Sequence, residues 1–154
     1  MAGEDETTPL ANGNADTGGP QVAIVGQYVK DLSFENPNAP ASLQAQGQPQ
    51  IEVQVNVSVN RVGEDVFEVG LKVEARATVE SQMSFAIDVL YAGLFGLRNV
   101  PEEALEPFLL VEAPRILFPF ARRVIADATR DGGFPPLLLE PIDFSSLYAV
   151  QRQQ

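Results

Sequence analysis

Residues 51–59, IEVQVNVSV, alternate without a break between aliphatic and polar side chains. Ile51, Val53, Val55, Val57 and Val59 fall on one parity, and Glu52, Gln54, Asn56 and Ser58 on the other. Successive side chains of an extended chain point to opposite faces, so this period sorts the two sets only in a strand, and the mixture predicts a half-buried antiparallel one. The segment RVGED supplies a turn at Gly63, after which FEVGLKVEARATV repeats the pattern. Phe67, Val69, Leu71, Val73, Ala75, Ala77 and Val79 take the inward parity, and Glu68, Lys72, Glu74 and Arg76 the outward one. In MSFAIDVLYAGLF, Met83, Phe85, Ile87, Val89 and Tyr91 share one face, opposite Ala86 and Asp88. Upstream, VAIVGQYV runs from Val22 into KDLSFE and predicts a first strand of roughly ten residues. Pro37, Pro40 and Pro49 forbid regular pairing across NPNAPASLQAQGQP, which reads as a long crossover loop. Four strands of this kind imply an antiparallel sheet with one solvated face.

The second half changes period. In PRILFPFARRVIADATR, Ile116, Leu117, Phe120, Ala121, Val124, Ile125 and Ala128 recur at helical spacing opposite Arg115, Arg122, Arg123, Asp127 and Arg130. Pro119 perturbs the first turns of this amphipathic helix, and Gly132 is available as a left-handed cap. Before it, PEEALEPFLLVEA predicts a short, proline-interrupted helix; after it, FPPLLLEP reads as extended. IDFSSLYAV predicts a last helix with Asp143 as its cap and Ile142 stapled to Leu147. Strands first and helices second give an α+β class with helices packed on one sheet face. At 154 residues and 45% apolar content, the expectation is a single domain over 21–154. It follows a disordered acidic tail over 1–20, which is rich in Glu, Asp, Thr, Asn and Gly. The inner faces of the strands carry more apolar surface than a short helix covers, which points to a second subunit on that layer.

The chain contains no cysteine and no histidine, which removes disulfides, thiolate metal sites and the commonest general base. Its serines therefore have no histidine to activate them. The glycine-rich pieces DGGF and YAGLFG lack the phosphate-cradling pattern, so neither a nucleotide nor any other cofactor is expected. Asp88 with Tyr91, and Asp31 with Glu35, read as solvated surface rather than acid and base pairs. A net charge of −11 repels nucleic acid and anionic lipid and favours basic protein partners. No run approaches the roughly 18 to 20 apolar residues of a membrane span, and MAGEDETTPL lacks the features of a secretory signal, so a cytoplasmic protein is expected. Phe34, Phe134, Phe144 and Tyr148, with leucines of the crossover loop and of FPPLLLEP, read equally as core or as the lining of a groove. Two other readings stand beside these: a structural or small-apolar-ligand-binding subunit of an α+β oligomer, and a histidine-free isomerase or hydrolase using Asp88.

YVKDLSFENPNAP, the alternating strands, YAGLF at 91–95 and PRILFPFARRVIADATRDGGFPPLLLEPIDF, in this order, resemble the SecB family of proteobacterial export chaperones. The resemblance runs from Val22 to the C-terminus. It implies a homotetramer, assembled as a dimer of dimers, that binds unfolded precursor proteins without ATP and passes them to the translocation ATPase SecA. It also implies that Asp31, Glu35, Ala86 and Asp88 contact SecA, although the family often has a larger apolar residue where this chain has Ala86. By the same resemblance Ile87, Val89 and Tyr91 hold the dimers together, and Phe34, Leu43, Phe134, Leu137, Leu139, Phe144 and Tyr148 form the client groove.

Overall fold

The alternating segments pair into one four-stranded antiparallel sheet in a computed structural model that describes residues 18–152. The strands are β1 (Gln21–Glu35), β2 (Gln50–Gly63), β3 (Val66–Val79) and β4 (Gln82–Arg98), in the spatial order β1-β4-β3-β2. β1 has 15 residues, longer than the expected ten or so, because KDLSFE keeps pairing with β4 past an irregularity near Lys30. Since β1 and β2 are the two edges, residues 36–49 must carry the chain across the whole sheet, and they do so with a short 3₁₀ turn at Ala41–Gln44. The acidic tail expected over 1–20 lies outside the described residues as far as residue 17.

After β4 come α1 (Glu102–Pro107), a π turn at Phe108–Glu112, α2 (Ala113–Asp131) and, beyond an extended stretch, α3 (Phe144–Arg152). The sequence suggests two separate helices before residue 131, but the chain never leaves the helical path between Glu102 and Asp131. Pro114 has no N–H to give to the preceding turn, and the Ala113 N–H bonds instead to the Phe108 carbonyl. The prolines thus widen one turn and do not break the rod. α2 lies over β4 and β3. Its buried stripe is Leu117, Phe118, Ala121, Ile125, Ala126 and Thr129, so Phe118 points inward and Phe120, expected in the stripe, is 41% exposed on its flank.

The left-handed cap falls one residue later than the sequence suggests. Gly132 has φ −81°, and it is Gly133, at φ 96°, that turns the chain. The Gly133 N–H bonds the Arg130 carbonyl and the Phe134 N–H bonds the Thr129 carbonyl, the paired pattern of a Schellman cap, which puts the left-handed residue at 133. Asp143 caps α3 as expected, its Oδ1 accepting the Ser146 N–H at 3.2 Å.

The inner faces of β3 and β4 are fully covered: Val69, Leu71, Val73 and Val89 are 0% exposed. The two edges are not, for Val22, Ile24, Val29 and Leu32 on β1 and Ile51 and Val53 on β2 remain 40–49% exposed. The covering helix is longer than expected, and the uncovered apolar surface is concentrated on the strands it does not reach.

The β3–β4 hairpin turns through Glu80 and Ser81 at φ 52° and 68°, a two-residue turn with both positions left-handed and neither of them glycine. Each non-glycine residue there costs about 1 kcal/mol. Replacing Glu80→Asn and Ser81→Gly together is expected to raise the unfolding free energy by about 1 kcal/mol, read as a higher urea midpoint at unchanged slope. A lower midpoint would contradict this account of the turn.

Candidate functional site

Two surfaces lie on opposite sides of the sheet. On the helix side, the crossover loop and residues 134–137 face each other across the inner face of β2, β3 and β4, enclosing a cavity of about 340 Å³. Leu43, Ile51, Val79, Phe85, Phe134 and Leu137 are among its lining residues. The loop is positioned by its asparagines: Asn36 donates to the Gly132 carbonyl at 3.0 Å and Asn38 to the Met83 carbonyl at 2.8 Å. These bonds fasten one wall to the end of α2 and to the start of β4.

Thr129 fastens the other wall. Its hydroxyl, 0% exposed, is 3.0 Å from the Ile125 carbonyl and 3.1 Å from the Ala126 carbonyl, and its oxygen accepts the Leu137 N–H at 2.9 Å. The two glycines let the walls approach. A Cβ on Gly132 would sit 2.5 Å from Cζ of Phe34, and one on Gly133 would sit 3.0 Å from a Leu43 methyl. Phe34, Phe85 and Phe134 form a run of rings with centroids 5.9 and 4.9 Å apart, a spacing at which aromatic edges and faces attract.

Of the seven residues expected in a groove, Leu43, Phe134 and Leu137 line this cavity, and Phe34 supports it through Phe85. Leu139 and Phe144 do not belong to it: both are buried, and Phe144 packs edge-on against Phe118 at 6.2 Å. Tyr148 lines a different cavity, with Val22, Val100, Phe108 and Val111. α3 folds back against the π turn at Phe108–Glu112, a long-range packing that the local pattern IDFSSLYAV does not encode. Ile51 and Val79, absent from the expected set, reach the cavity from the ends of β2 and β3.

On the outer face the register collects the acidic residues. Glu35 pairs with Ala86, Ser33 with Asp88 and Asp31 with Leu90, while Asp88 also pairs with Glu74 of β3. Asp31, Glu35, Ala86 and Asp88 therefore share one face. Glu35 lies directly opposite Ala86, and Asp88 is diagonal to both Asp31 and Glu35, within about 8 Å of each, while Asp31 and Glu35 are about 13 Å apart along the strand. Asp31, Glu35 and Asp88 have no ion-pair partner among the described residues, whereas Glu74 is held by Lys72 at 3.4 Å. Farther along this face, Glu68 accepts from the Tyr28 hydroxyl and from Lys30 Nζ, the latter at 2.9 and 3.1 Å. The hydrogen bond to the Glu68 carboxylate, helped by burial and by the charge of Glu68, pushes the Tyr28 phenol up to about 12. The same bond, together with Lys30, holds Glu68 below the usual carboxylate range.

Ile87, Val89 and Tyr91, expected at a subunit interface, are at most 6% exposed within one chain because α2 covers them. Within one chain they offer a second subunit almost no surface. Tyr91 stacks on Phe120 at 6.1 Å and donates to Gln27 at 3.1 Å, so this row reaches the surface only through the flank of α2. Among the described residues no group of three or more Asp or Glu side chains is placed to hold a metal ion, and no helix is long and apolar enough to cross a membrane.

A family profile described as "SecB: Preprotein translocase subunit SecB" matches residues 15–154. The chain belongs to the SecB family. It is 62% identical over 135 residues to the protein-export protein SecB of Rhizorhabdus wittichii, spanning 88% of this chain and 81% of that one. It is 55% identical over 149 residues to the SecB of Sphingopyxis alaskensis, spanning 97% and 87%. Against the SecB of Zymomonas mobilis the identity is 56% over 142 residues, spanning 92% and 87%. A SecB-like chaperone of Mycobacterium tuberculosis, solved with a peptide from an antitoxin, has the same fold, with a TM-score of 0.66 at 20% identity over 79% of this chain and 90% of that one. The function that goes with this SecB membership is that of a protein-export chaperone, and it implies binding of preproteins.

Replacing Thr129 with Val keeps the shape of the side chain but leaves the Leu137 N–H without its acceptor. The expected loss is about 1–3 kcal/mol of stability, together with faster amide exchange at Leu137 than at residues of α1. Unchanged protection of the Leu137 amide would show that Thr129 does not hold the cavity wall.

Proposed function

We propose that the chain binds unfolded segments of precursor proteins in the cavity between the crossover loop and residues 134–137, without ATP, and presents its acidic outer face to SecA in the cytoplasm. The observation that carries this reading is the separation of the two surfaces by the thickness of one sheet. The apolar cavity of about 340 Å³ opens on the helix side, and three carboxylates with no ion-pair partner among the described residues lie on the other. A cavity of that size takes one or two apolar side chains, not a folded domain, so each contact is weak and a long client is held by several at once. Client and partner can then be bound together.

The same reading includes a dimer of dimers. β1 is an open edge of 15 residues, and its inner-face side chains Val22, Ile24, Val29 and Leu32 stand partly uncovered beside the α2 flank that bears Phe120. Long edges of this kind pair readily with another strand, and a second copy would cover both the edge and the apolar strip. In this arrangement Ile87, Val89 and Tyr91 affect assembly by supporting α2 rather than by contact. Phe120→Asp, at an exposed position, is expected to preserve the circular dichroism spectrum and lower the mass seen by light scattering. An unchanged mass would remove the α2 flank from the interface.

The two surfaces separate in one set of binding measurements. Leu43→Asp with Ile51→Asp is expected to weaken binding of an unfolded precursor about tenfold and to reduce its negative heat-capacity change, with no nucleotide present. Asp31→Asn with Glu35→Gln is expected to leave client binding intact and weaken SecA binding, most strongly at low salt, where the Debye length is about 10 Å rather than about 3 Å at 1 M. Loss of both activities in either variant would contradict separate sites.

A further inference from the structure

β1 carries two inserted residues against β4, and where Asp31 and Glu35 point relative to Val29 depends on the second. Val29 pairs with Tyr91 and Asp31 with Leu90, so Lys30 is an extra residue on β1 with no partner on β4. Continuing the register of Val29 without a shift would set Asp31 against Val89 and Glu35 against Phe85, on the face that α2 covers. A one-residue change in register sends every later side chain to the opposite face. Downstream of Lys30 the shift turns Asp31, Ser33 and Glu35 outward and Leu32 and Phe34 inward. It therefore builds the outer acidic cluster and supplies the ring that packs on Phe85 and Gly132.

β1 carries an earlier extra residue as well, Val25, between Ile24, which pairs with Phe95, and Gly26, which pairs with Leu94. The shift at Lys30 restores the parity lost there, and hydrophobic patterning alone does not put it at position 30. What marks that position is Glu68 of β3, which lies two strands away across β4. Glu68 pairs with Leu94, and the outward residues between it and Tyr28 are small: Tyr28 pairs with Ala92, and Ala92 with Gly70. Ala92 is 0% exposed although it lies on the outer face, so the outer surface is closed over it. Through this shallow trough the Tyr28 hydroxyl and the Lys30 ammonium converge on one carboxylate, from the residues on either side of Val29. The Glu68 side chain is 12% exposed, which strengthens both bonds relative to a surface ion pair. Such charge-assisted bonds are about twice as strong as neutral ones.

We propose that Glu68 is a positioning residue that pins the β1 bulge at Lys30, and thereby fixes Asp31 and Glu35 on the partner-binding face and Phe34 at the wall of the cavity. Tyr28 and Lys30 are the two arms of the clamp. The proposal deepens the partner reading given above and rests on it for the binding consequence, while the placement of the bulge is independent of any partner.

The test compares Glu68→Ala with Glu52→Gln, which removes one outward charge from β2 without touching the clamp. In Glu68→Ala, amide exchange from Tyr28 to Ser33 is expected to rise about tenfold or more while β2 and β3 amides keep their rates. The Tyr28 phenol, followed by its ultraviolet absorption, is expected to titrate near the ordinary tyrosine value of about 10 instead of about 12. Affinity for a lysine-rich peptide is expected to fall several-fold further than in Glu52→Gln, and Lys30→Met is expected to add little to Glu68→Ala. Unchanged exchange at residues 28–33 overturns the proposal. Faster exchange with peptide affinity equal to that of Glu52→Gln overturns the link between the clamp and partner binding. If the unmodified chain does not bind the peptide, the partner reading fails, and the exchange and titration results still decide whether Glu68 pins the bulge.

Discussion

The register between β1 and β4 is the constraint on which both surfaces depend. Val25 and Lys30 are each an extra residue on β1, and the second reverses the parity that the first has shifted, so that the segment DLSFE sends its acids to one side of the sheet and its apolar groups to the other. Leu32 and Phe34 then join the inner face already built by Ile87, Val89 and Tyr91, and Asp31 and Glu35 join Asp88. Burying either acid on the inner face would cost several kcal/mol, so the hydrophobic core and the acidic surface enforce the same register from opposite sides.

From that frame the cavity follows with few further parts. Phe34 needs space at the end of α2, and Gly132 provides it by having no Cβ. The chain must then turn back toward the sheet, which the left-handed Gly133 permits. Thr129 and Asn36 tie the two walls to the same helix end through bonds of 2.9 and 3.0 Å. The walls are rigid where they are fastened, while the prolines at 135 and 136 keep the returning segment extended and outside any sheet. A polypeptide binder with little specificity needs apolar surface that is reachable and does not close on itself, and this construction leaves it open.

The sheet was legible in the sequence because its signal is local: alternation over nine or more residues sorts side chains whatever lies elsewhere. Asp88 reads as outward for the same reason, whereas Asp31 and Glu35 join it only through the resemblance to SecB. What the sequence does not show is long-range. Leu139, Phe144 and Tyr148 have the composition of a groove lining, but α3 packs back on the helical layer and takes them into the core or to another cavity. The resemblance puts Ile87 and Val89 between subunits, and nothing local says how far α2 extends over them, since the prolines at 107 and 114 suggest a break that a π turn avoids. The bulge at Lys30 also left no local mark, since KDLSFE reads as an unbroken strand until its partner is known.

The central claim is that one sheet carries two independent binding surfaces back to back. It is tested most directly by methyl resonances of the intact chain on addition of an unfolded precursor. Leu43, Ile51 and Leu137 are expected to shift on the helix side, while Leu90 and Leu94, on the outer face, keep their positions. Shifts at Leu90 and Leu94 comparable to those at Leu43 and Leu137 would mean that clients bind across both faces, and the division of labour argued from the register would be wrong.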